Sequence, residues 1–468
     1  MAGPPARVLR AADLKAGLSR ASKRVVTGRF HRIAWVGFVL ALALVAAGFM
    51  VGPRTPVAMQ SFYCVGNVDL PGPFGFGLNC DGPLFMTLAR EPQALLARDC
   101  SRQTRPGLIV MAAVLHAPLQ RFANPDRPLA RFPANLFTRN PAHIAEAFRV
   151  DFPAYVAYIT LNFAFLFGVF ACLLAVLRPL QRMDAPTTLI VLALGVLLIA
   201  NDVTKAFLWA PHTQLLNILG PMVAIYCARR VRDGALERTR FALGIGALLG
   251  LAMTVYGVFA IVVAAVGVAA LLSIAHRHTV RVALPTLLNL VILVALTALP
   301  SMLWYRYVVH KTGQFYNIEF TVMRQVVWMK DSWRIGAGHF ALEWLNKLLS
   351  LLKYCAPQAI PALGIAVVTG FFAIESRGVA AALRRAAVNA RLSILVCVAV
   401  AGFFACVGLI NERLAFAIVP GLIVWAGSTA LGLASAVSRR RRWFLALSCF
   451  GVAVAAAVYA IVKRGPYA

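Results

Sequence analysis

Apolar residues run through this chain in stretches of about 18 or more, separated by short segments rich in arginine, lysine, proline and glycine. Such a stretch is long enough to cross a bilayer, because about 20 residues rising 1.5 Å each match roughly 30 Å of hydrocarbon. The pattern predicts spans at Ile33–Val51, Phe152–Leu177, Ala185–Ala200, Ala210–Ala228, Phe241–Gly257 and Val258–Ala275. Further spans follow at Val282–Tyr305, Ala359–Ile374, Leu392–Ile410, Leu414–Val437 and Trp443–Val462, about eleven in all. The expected fold class is an all-α polytopic membrane protein. The run from Phe241 to Ala275 is too long for one ordinary helix and lies between basic loops, so the chain is expected to turn near Tyr256 and Gly257. Counting Gly107–Leu119 as a full span would put two basic loops outside. It is therefore read as re-entrant, or as paired with a second short helix before Phe152. In "FALEWLNKLLSLLKY", Leu342, Leu345, Leu348, Leu349 and Leu352 mark one face of an amphipathic helix lying in the membrane interface.

Composition strengthens this picture: 60% of residues are hydrophobic, against roughly 45–50% in soluble domains, and mean hydropathy is +0.76. The net charge of +29, from 46 Lys and Arg against 17 Asp and Glu, raises the question of nucleic acid. The basic residues sit in short loops between apolar runs, however, and form no tail interleaved with aromatics. The charge reads as membrane topology and contact with anionic lipid, with no nucleic-acid partner. Residues 1–32 are then a basic cytoplasmic segment leading into an uncleaved first span, and 33–468 a single transmembrane domain of the cytoplasmic (inner) membrane with an extracytoplasmic C-terminus. Two large outer segments result, Gly52–Asp151 and Val308–Gln358. Nine cysteines without a CxxC speak against a metal site. Three of them, Cys64, Cys80 and Cys100, share the first outer segment; Cys64 with Cys80, Cys80 with Cys100, or free thiols are the alternatives.

Candidate chemistry begins at "GLNCDGPLFMTLAREP". Asp81 precedes Gly82 and Pro83, and Leu84, Phe85, Leu88 and Ala89 follow at helical spacing, so Asp81 reads as the cap of a short juxtamembrane helix. Capping would hold its carboxylate where that helix meets water.

A first span with a cytoplasmic start, then an outer loop with the pattern Asp81, Phe85, Ala89, then "RQTRPGLIVMAAVL", resembles the GT-C superfamily of integral membrane glycosyltransferases. The resemblance covers about residues 30 to 120. The family often carries a second acid beside the first; here Gly82 follows Asp81, and Asp69 lies twelve residues earlier, a partner only through folding. The resemblance implies transfer of a sugar from a polyprenyl-phosphate donor to a lipid, glycan or protein acceptor on the outer face. Asp81 would take the proton of the acceptor hydroxyl. The lipid phosphate that leaves needs a cation, either Arg or Lys near the membrane surface or a divalent metal, magnesium or manganese.

The substrate-binding candidates come from the outer loops: Arg102 and Arg105 after the Asp81 helix; Asp202, Lys205 and His212 in "NDVTKAFLWAPHTQLLN"; Arg306 and Lys311 in "LWYRYVVHK"; and Arg413 in "NERLAFAIVPG". Plainer readings stand beside them: an i,i+3 pair of Asp202 with Lys205, snorkelling of Arg306, and a charged tight turn at Arg413. A transporter or flippase for lipid or small solute, and a polymerase or ligase of surface polysaccharide, are the alternative functions.

Overall fold

The computed structural model describes residues 11–122, 140, 142–180, 184–277, 280–374 and 379–464. Its first part runs α1 (Ala11–Val51), α2 (Val57–Tyr63), β1 (Val65–Asp69), β2 (Gly75–Asn79), α3 (Gly82–Arg90) and α4 (Pro106–Phe122). There follow α5 (Ala142–Leu177), α6 (Ala185–Ile199), α7 (Asp202–Phe207), α8 (Leu216–Arg232), α9 (Thr239–Val255), α10 (Ala260–Arg277) and α11 (Val280–Thr312). The last part holds α12 (Ile318–Thr321), α13 (Val327–Ile335), α14 (Ala337–Ile374), α15 (Val379–Val407), α16 (Glu412–Ala415), α17 (Val419–Ala434) and α18 (Arg439–Val462). Among the described residues, eight helices are long and apolar enough to cross a membrane, and Pro106–Gln120, Ala185–Ile199 and Thr239–Val255 are shorter apolar helices. The expectation of about eleven spans is therefore met by eight of full length.

The centre of the bundle is formed by α6, α8 and α17, which are buried along almost their whole length. In hydrocarbon, burying leucine against leucine gains little over leucine against lipid, so close helix approach has to supply the packing energy. Small residues permit it: a Cβ on Gly427 of α17 would collide with Leu194 of α6, and one on Gly421 with Cys397 of α15. Near α1, Phe38 and Phe170 stack with ring centroids 4.0 Å apart, with Trp35 edge-on to Phe170 at 5.0 Å.

Several expected boundaries move, each for a local reason. The span expected at Ala210–Ala228 begins only at Leu216, because Pro211 and the polar run His212, Thr213 and Gln214 leave residues 208–215 outside regular α-helix although all but the half-buried Trp209 are buried. The break within Phe241–Ala275 falls at Tyr256, whose backbone is extended at φ −161° and ψ 132°. The amphipathic leucine face does not belong to a separate interface helix. It is the first half of the 38-residue α14, which continues through Pro357 and Pro361 into the membrane-spanning half. At 1.5 Å per residue such a helix is about 57 Å long, well beyond one bilayer core. The segment Gly107–Leu119 is the body of α4, which packs on α5 and α9; of the stretch before Phe152 where a second short helix was expected, residues 142–151 are the first turns of α5 and 123–139 lie outside the described residues.

Two strands interrupt the all-α expectation. Strands β1 and β2 form an antiparallel hairpin with Val65 opposite Asn79 and Asp69 opposite Gly75. The alternation in Phe76, Gly77 and Leu78, with Phe76 and Leu78 buried, is the period-two signal for it. A disulfide joins Cys64 to Cys80 at the open end of the hairpin, with Cα atoms 5.4 Å apart, and Cys100 stays a free thiol. Mass spectrometry of unreduced, alkylated protein is expected to find Cys64 linked to Cys80 and Cys100 alkylated. Cys64→Ser, by opening a loop of 16 residues, is expected to cost about 3 kcal/mol in denaturant unfolding.

Candidate functional site

Directly after that disulfide the chain reaches Asp81, at the start of α3. The position is that of a cap, but the carboxylate makes no hydrogen bond to the helix backbone. It is held instead by two side chains from elsewhere: the Arg102 guanidinium meets Oδ1, and His212 Nε2 lies 3.4 Å from Oδ2. The expected role as helix cap is thus replaced by a charge-assisted contact across the fold, stronger than a neutral one. The Asp81 side chain is 34% exposed while those of Arg102 and His212 are 8% and 4% exposed. It is the carboxylate, not its partners, that faces open space.

That space is a cavity of about 490 Å³. Asp81, Arg102, Arg105, His212, Tyr256, Glu319 and Arg413 all line it. Five of the ten residues singled out in the sequence therefore converge on one site from four separate loops. Arg105 pairs with Glu319 at 2.7 Å and places its guanidinium 4.9 Å over the Tyr256 ring. The Arg413 guanidinium sits 5.9 Å over Phe207, and no carboxylate pairs with it among the described residues. Its backbone is fixed by the buried Asn217, whose side chain donates to the Arg413 carbonyl at 3.3 Å.

One face of α5 positions these loops. Tyr155, Tyr158 and Asn162 recur at i, i+3 and i+7, so their side chains lie on the same side of the helix. Tyr158 donates to the Phe85 carbonyl of α3 at 3.0 Å, and Tyr155 to the Trp209 carbonyl at 3.0 Å. The Asn162 amide donates to three carbonyls, Phe207 at 2.9 Å, Leu208 at 3.1 Å and Ala210 at 3.0 Å. Three polar residues in an apolar span thus hold both the helix that carries Asp81 and the loop that carries His212. Their signal in the sequence is "YVAYITLN", a polar stripe at helical spacing inside an apolar span. Glu319 carries no such signal, because a lone acid in a long loop has no local pattern.

Five of the sequence candidates lie away from the cavity. Asp69 pairs with Arg54 at the turn end of the hairpin. Since Val65, not Asp69, faces Asn79, Asp69 sits four residues along the strand, about 13 Å from the end where Asp81 emerges, and does not serve as its partner acid. Asp202 and Lys205 do not pair with each other: Lys463 Nζ meets Asp202 at 2.9 Å, and Lys205 Nζ donates to the carbonyls of Ile461 at 3.1 Å and Lys463 at 2.5 Å. Both serve the open carbonyl end of α18. Arg306 and Lys311 on α11 are exposed outside the cavity. Tyr305 lines it, and the next residue on a helix points about 100° away.

Electrostatics set the protonation of the pair. Burial tends to raise the Asp81 carboxyl, but the His212 hydrogen bond and the adjacent Arg102 charge outweigh it and hold the group well below its ordinary value of 3.8. Burial lowers His212 from 6.5 to about 4, against the pull of Asp81, and the nearby Arg413 and Arg105 charges add to the lowering. At neutral pH the site therefore holds an ionised carboxylate and a neutral imidazole. Facing a carboxylate, Nε2 must carry the ring proton, which leaves Nδ1 buried and without a partner among the described residues. Among the described residues no three His, Cys, Asp or Glu side chains gather as metal ligands. The donor set does not fit a magnesium or manganese ion, because Asp81 and Glu319 each face an arginine.

No family model, curated protein or solved structure matches this chain. The site must be read from its own geometry.

A buried neutral histidine costs stability in acid. Its depressed value means the unfolded chain binds the proton first, so stability is complete above about pH 6.5 and falls as the pH drops towards about 4. The expected loss over that window is about 3 kcal/mol. Thermal unfolding across pH 4 to 8 is expected to show it in the wild-type protein, with a shallower slope in His212→Gln.

Proposed function

We propose that this protein is a membrane glycosyltransferase that moves a sugar from a polyprenyl-phosphate donor to a hydroxyl of a lipid, glycan or protein acceptor. The observation that carries the reading is the cavity itself: an accessible, ionised carboxylate at Asp81 shares one space with an arginine, Arg413, that has no carboxylate partner among the described residues. The resemblance of Asp81, Phe85, Ala89 and the Arg105–Pro106 segment to GT-C enzymes points the same way.

In this reading the acceptor hydroxyl donates a hydrogen bond to Asp81 and attacks the anomeric carbon of the donor. The bond from that carbon to the phosphate oxygen breaks, and the proton passes to the carboxylate. A carboxylate whose acidity is enhanced by Arg102 is a weak base, so it accepts the proton late, once the new bond has made the hydroxyl acidic. What Arg102 and His212 contribute is position: each fixes one carboxylate oxygen, so the base is oriented before the acceptor arrives. The phosphate gains charge as it leaves, and a preorganised guanidinium at Arg413 favours that charge in a site with few other solvating groups.

Two features support an extracytoplasmic location for the cavity. The disulfide at Cys64 and Cys80 needs an oxidising compartment to persist. The arginine-rich helix ends, Arg229, Arg230 and Arg232 on α8 and Arg439 to Arg442 on α18, are the ends away from the cavity, since α8 begins beside Gln214 and the chain leads from Leu414, which lines the cavity, through α17 to Ser438. The positive-inside rule then supports an outer location for the cavity.

Membranes supplied with a radiolabelled polyprenyl-phosphate sugar and total envelope acceptors are the test. Asp81→Asn, which keeps size and loses charge, is expected to lower transfer by 100-fold or more. Unchanged transfer in that variant would remove the glycosyltransferase reading.

A further inference from the structure

The cavity contains three arginines, and two are already neutralised. Asp81 meets Arg102. Glu319 meets Arg105 at 2.7 Å through one oxygen, while its other oxygen accepts from Thr104 Oγ1 at 3.1 Å. The remaining faces of Arg105 are also occupied, by Thr213 Oγ1 at 3.3 Å and by the Tyr256 ring. Arg413 alone among the three has no carboxylate partner among the described residues.

Glu319 is not a loosely placed surface acid. It sits on α12, which Asn317 caps by accepting from the Phe320 amide at 3.1 Å. The strap leading to it is pinned to the segment that carries both Arg102 and Arg105. Gln103 Oε1 accepts from the Tyr316 amide at 2.8 Å, the Arg98 carbonyl accepts from Gln314 at 3.0 Å, and the Gln103 carbonyl accepts from Trp304 at 2.7 Å. The acid and the arginine it neutralises are thus built on one connected unit.

We propose that Glu319 is a specificity-determining residue that restricts the lipid donor to one phosphate. The inference rests on the lipid-linked donor assigned above and deepens it. A polyprenyl monophosphate places its phosphate at Arg413 and needs no further cation. A diphosphate brings a second phosphate with its own charge, and the other cations within the cavity are Arg102 and Arg105, each behind a carboxylate. In a partly desolvated cavity a like charge is repelled far more strongly than in water. The acid that neutralises Arg105 therefore excludes the second phosphate, and the determinant is a charge rather than a shape.

The test uses full-length protein in nanodiscs, titrated with polyprenyl phosphate and with polyprenyl diphosphate and read by native mass spectrometry. The wild-type protein is expected to bind the monophosphate at least tenfold more tightly. Glu319→Gln is expected to tighten the diphosphate about tenfold and to leave the monophosphate within about threefold. Glu319→Asp, which restores the charge, keeps the wild-type preference, a rescue that a purely structural role for the side chain would not produce. Arg413→Ala weakens both lipids. Thermal unfolding checks that each variant is folded, and Glu319→Ala, expected to shift the ratio in the same direction, serves if Glu319→Gln does not fold. Equal affinity of the wild-type protein for the two lipids, or a ratio that folded neutral variants leave unchanged, overturns the assignment of Glu319 while the lipid-donor reading stands. Failure of folded wild-type protein to bind either lipid overturns both.

Discussion

The site depends on three hydrogen-bonding side chains inside one apolar helix. Residues 208–215 lie outside regular α-helix: the carbonyls of Thr213, Gln214 and Leu215 accept from the first turn of α8, whereas those of Leu208, Trp209 and Ala210 depend on side-chain donors. Unpaired, each would cost on the order of 1–3 kcal/mol. Asn162 answers three carbonyls in or beside this stretch and Tyr155 a fourth, while Tyr158 ties α3 to the same helix face. Irregular backbone buried in a helical bundle is tolerated only where other protein groups satisfy it, and here the bonds that do so also deliver His212 to Asp81. The energetic need and the geometric result are the same set of bonds.

Around that anchor the cavity is an exercise in partial neutralisation. Arg102 and Asp81 pair, Arg105 and Glu319 pair, and Arg413 remains. A fully paired cavity would have no reason to attract an anion. Several free arginines would repel one another and bind any anion indiscriminately. One residual positive charge beside one accessible carboxylate suits a reaction in which a proton goes to one group and a growing phosphate charge goes to another. The aromatic faces of Phe85, Tyr256 and Phe207 under the three guanidiniums fix their planes without adding charge.

The disulfide and the hairpin extend this preorganisation to the chain before Asp81. Cys80 and Asp81 are adjacent, and the Asn79 side chain both donates to the Cys64 carbonyl at 3.2 Å and accepts from the Asp81 amide at 3.1 Å. The carboxylate therefore starts from a closed loop, not from a free linker. At the other end of the bundle, Arg442 of α18 meets the Asp184 carboxylate that caps α6 at 2.5 Å. Lys205 takes the last carbonyls of the same α18. Charged residues that read as substrate contacts in the sequence were, at Asp202 and Lys205, the fastenings of a helix end.

Hydropathy determined that this is a helical membrane protein and which segments are apolar, and with the basic loops on either side of residues 241–275 it located the turn near Tyr256, because apolar runs and their flanking charges are local properties. It also brought Asp81, Arg102, Arg105, His212 and Arg413 forward, since charge beside an apolar run is conspicuous. It misplaced Asp69, Arg306 and Lys311, because strand register and helix rotation decide which way a residue points and neither is written in a residue's type. It passed over Glu319, Tyr158 and Asn162 as site residues, because their partners lie 214, 73 and 45 residues away in the chain, at Arg105, Phe85 and Phe207. Which of the charges are spent on one another and which one remains is a matter of distance in three dimensions. Only the tertiary structure decided that Asp81 is held by Arg102 and His212 and does not cap its own helix.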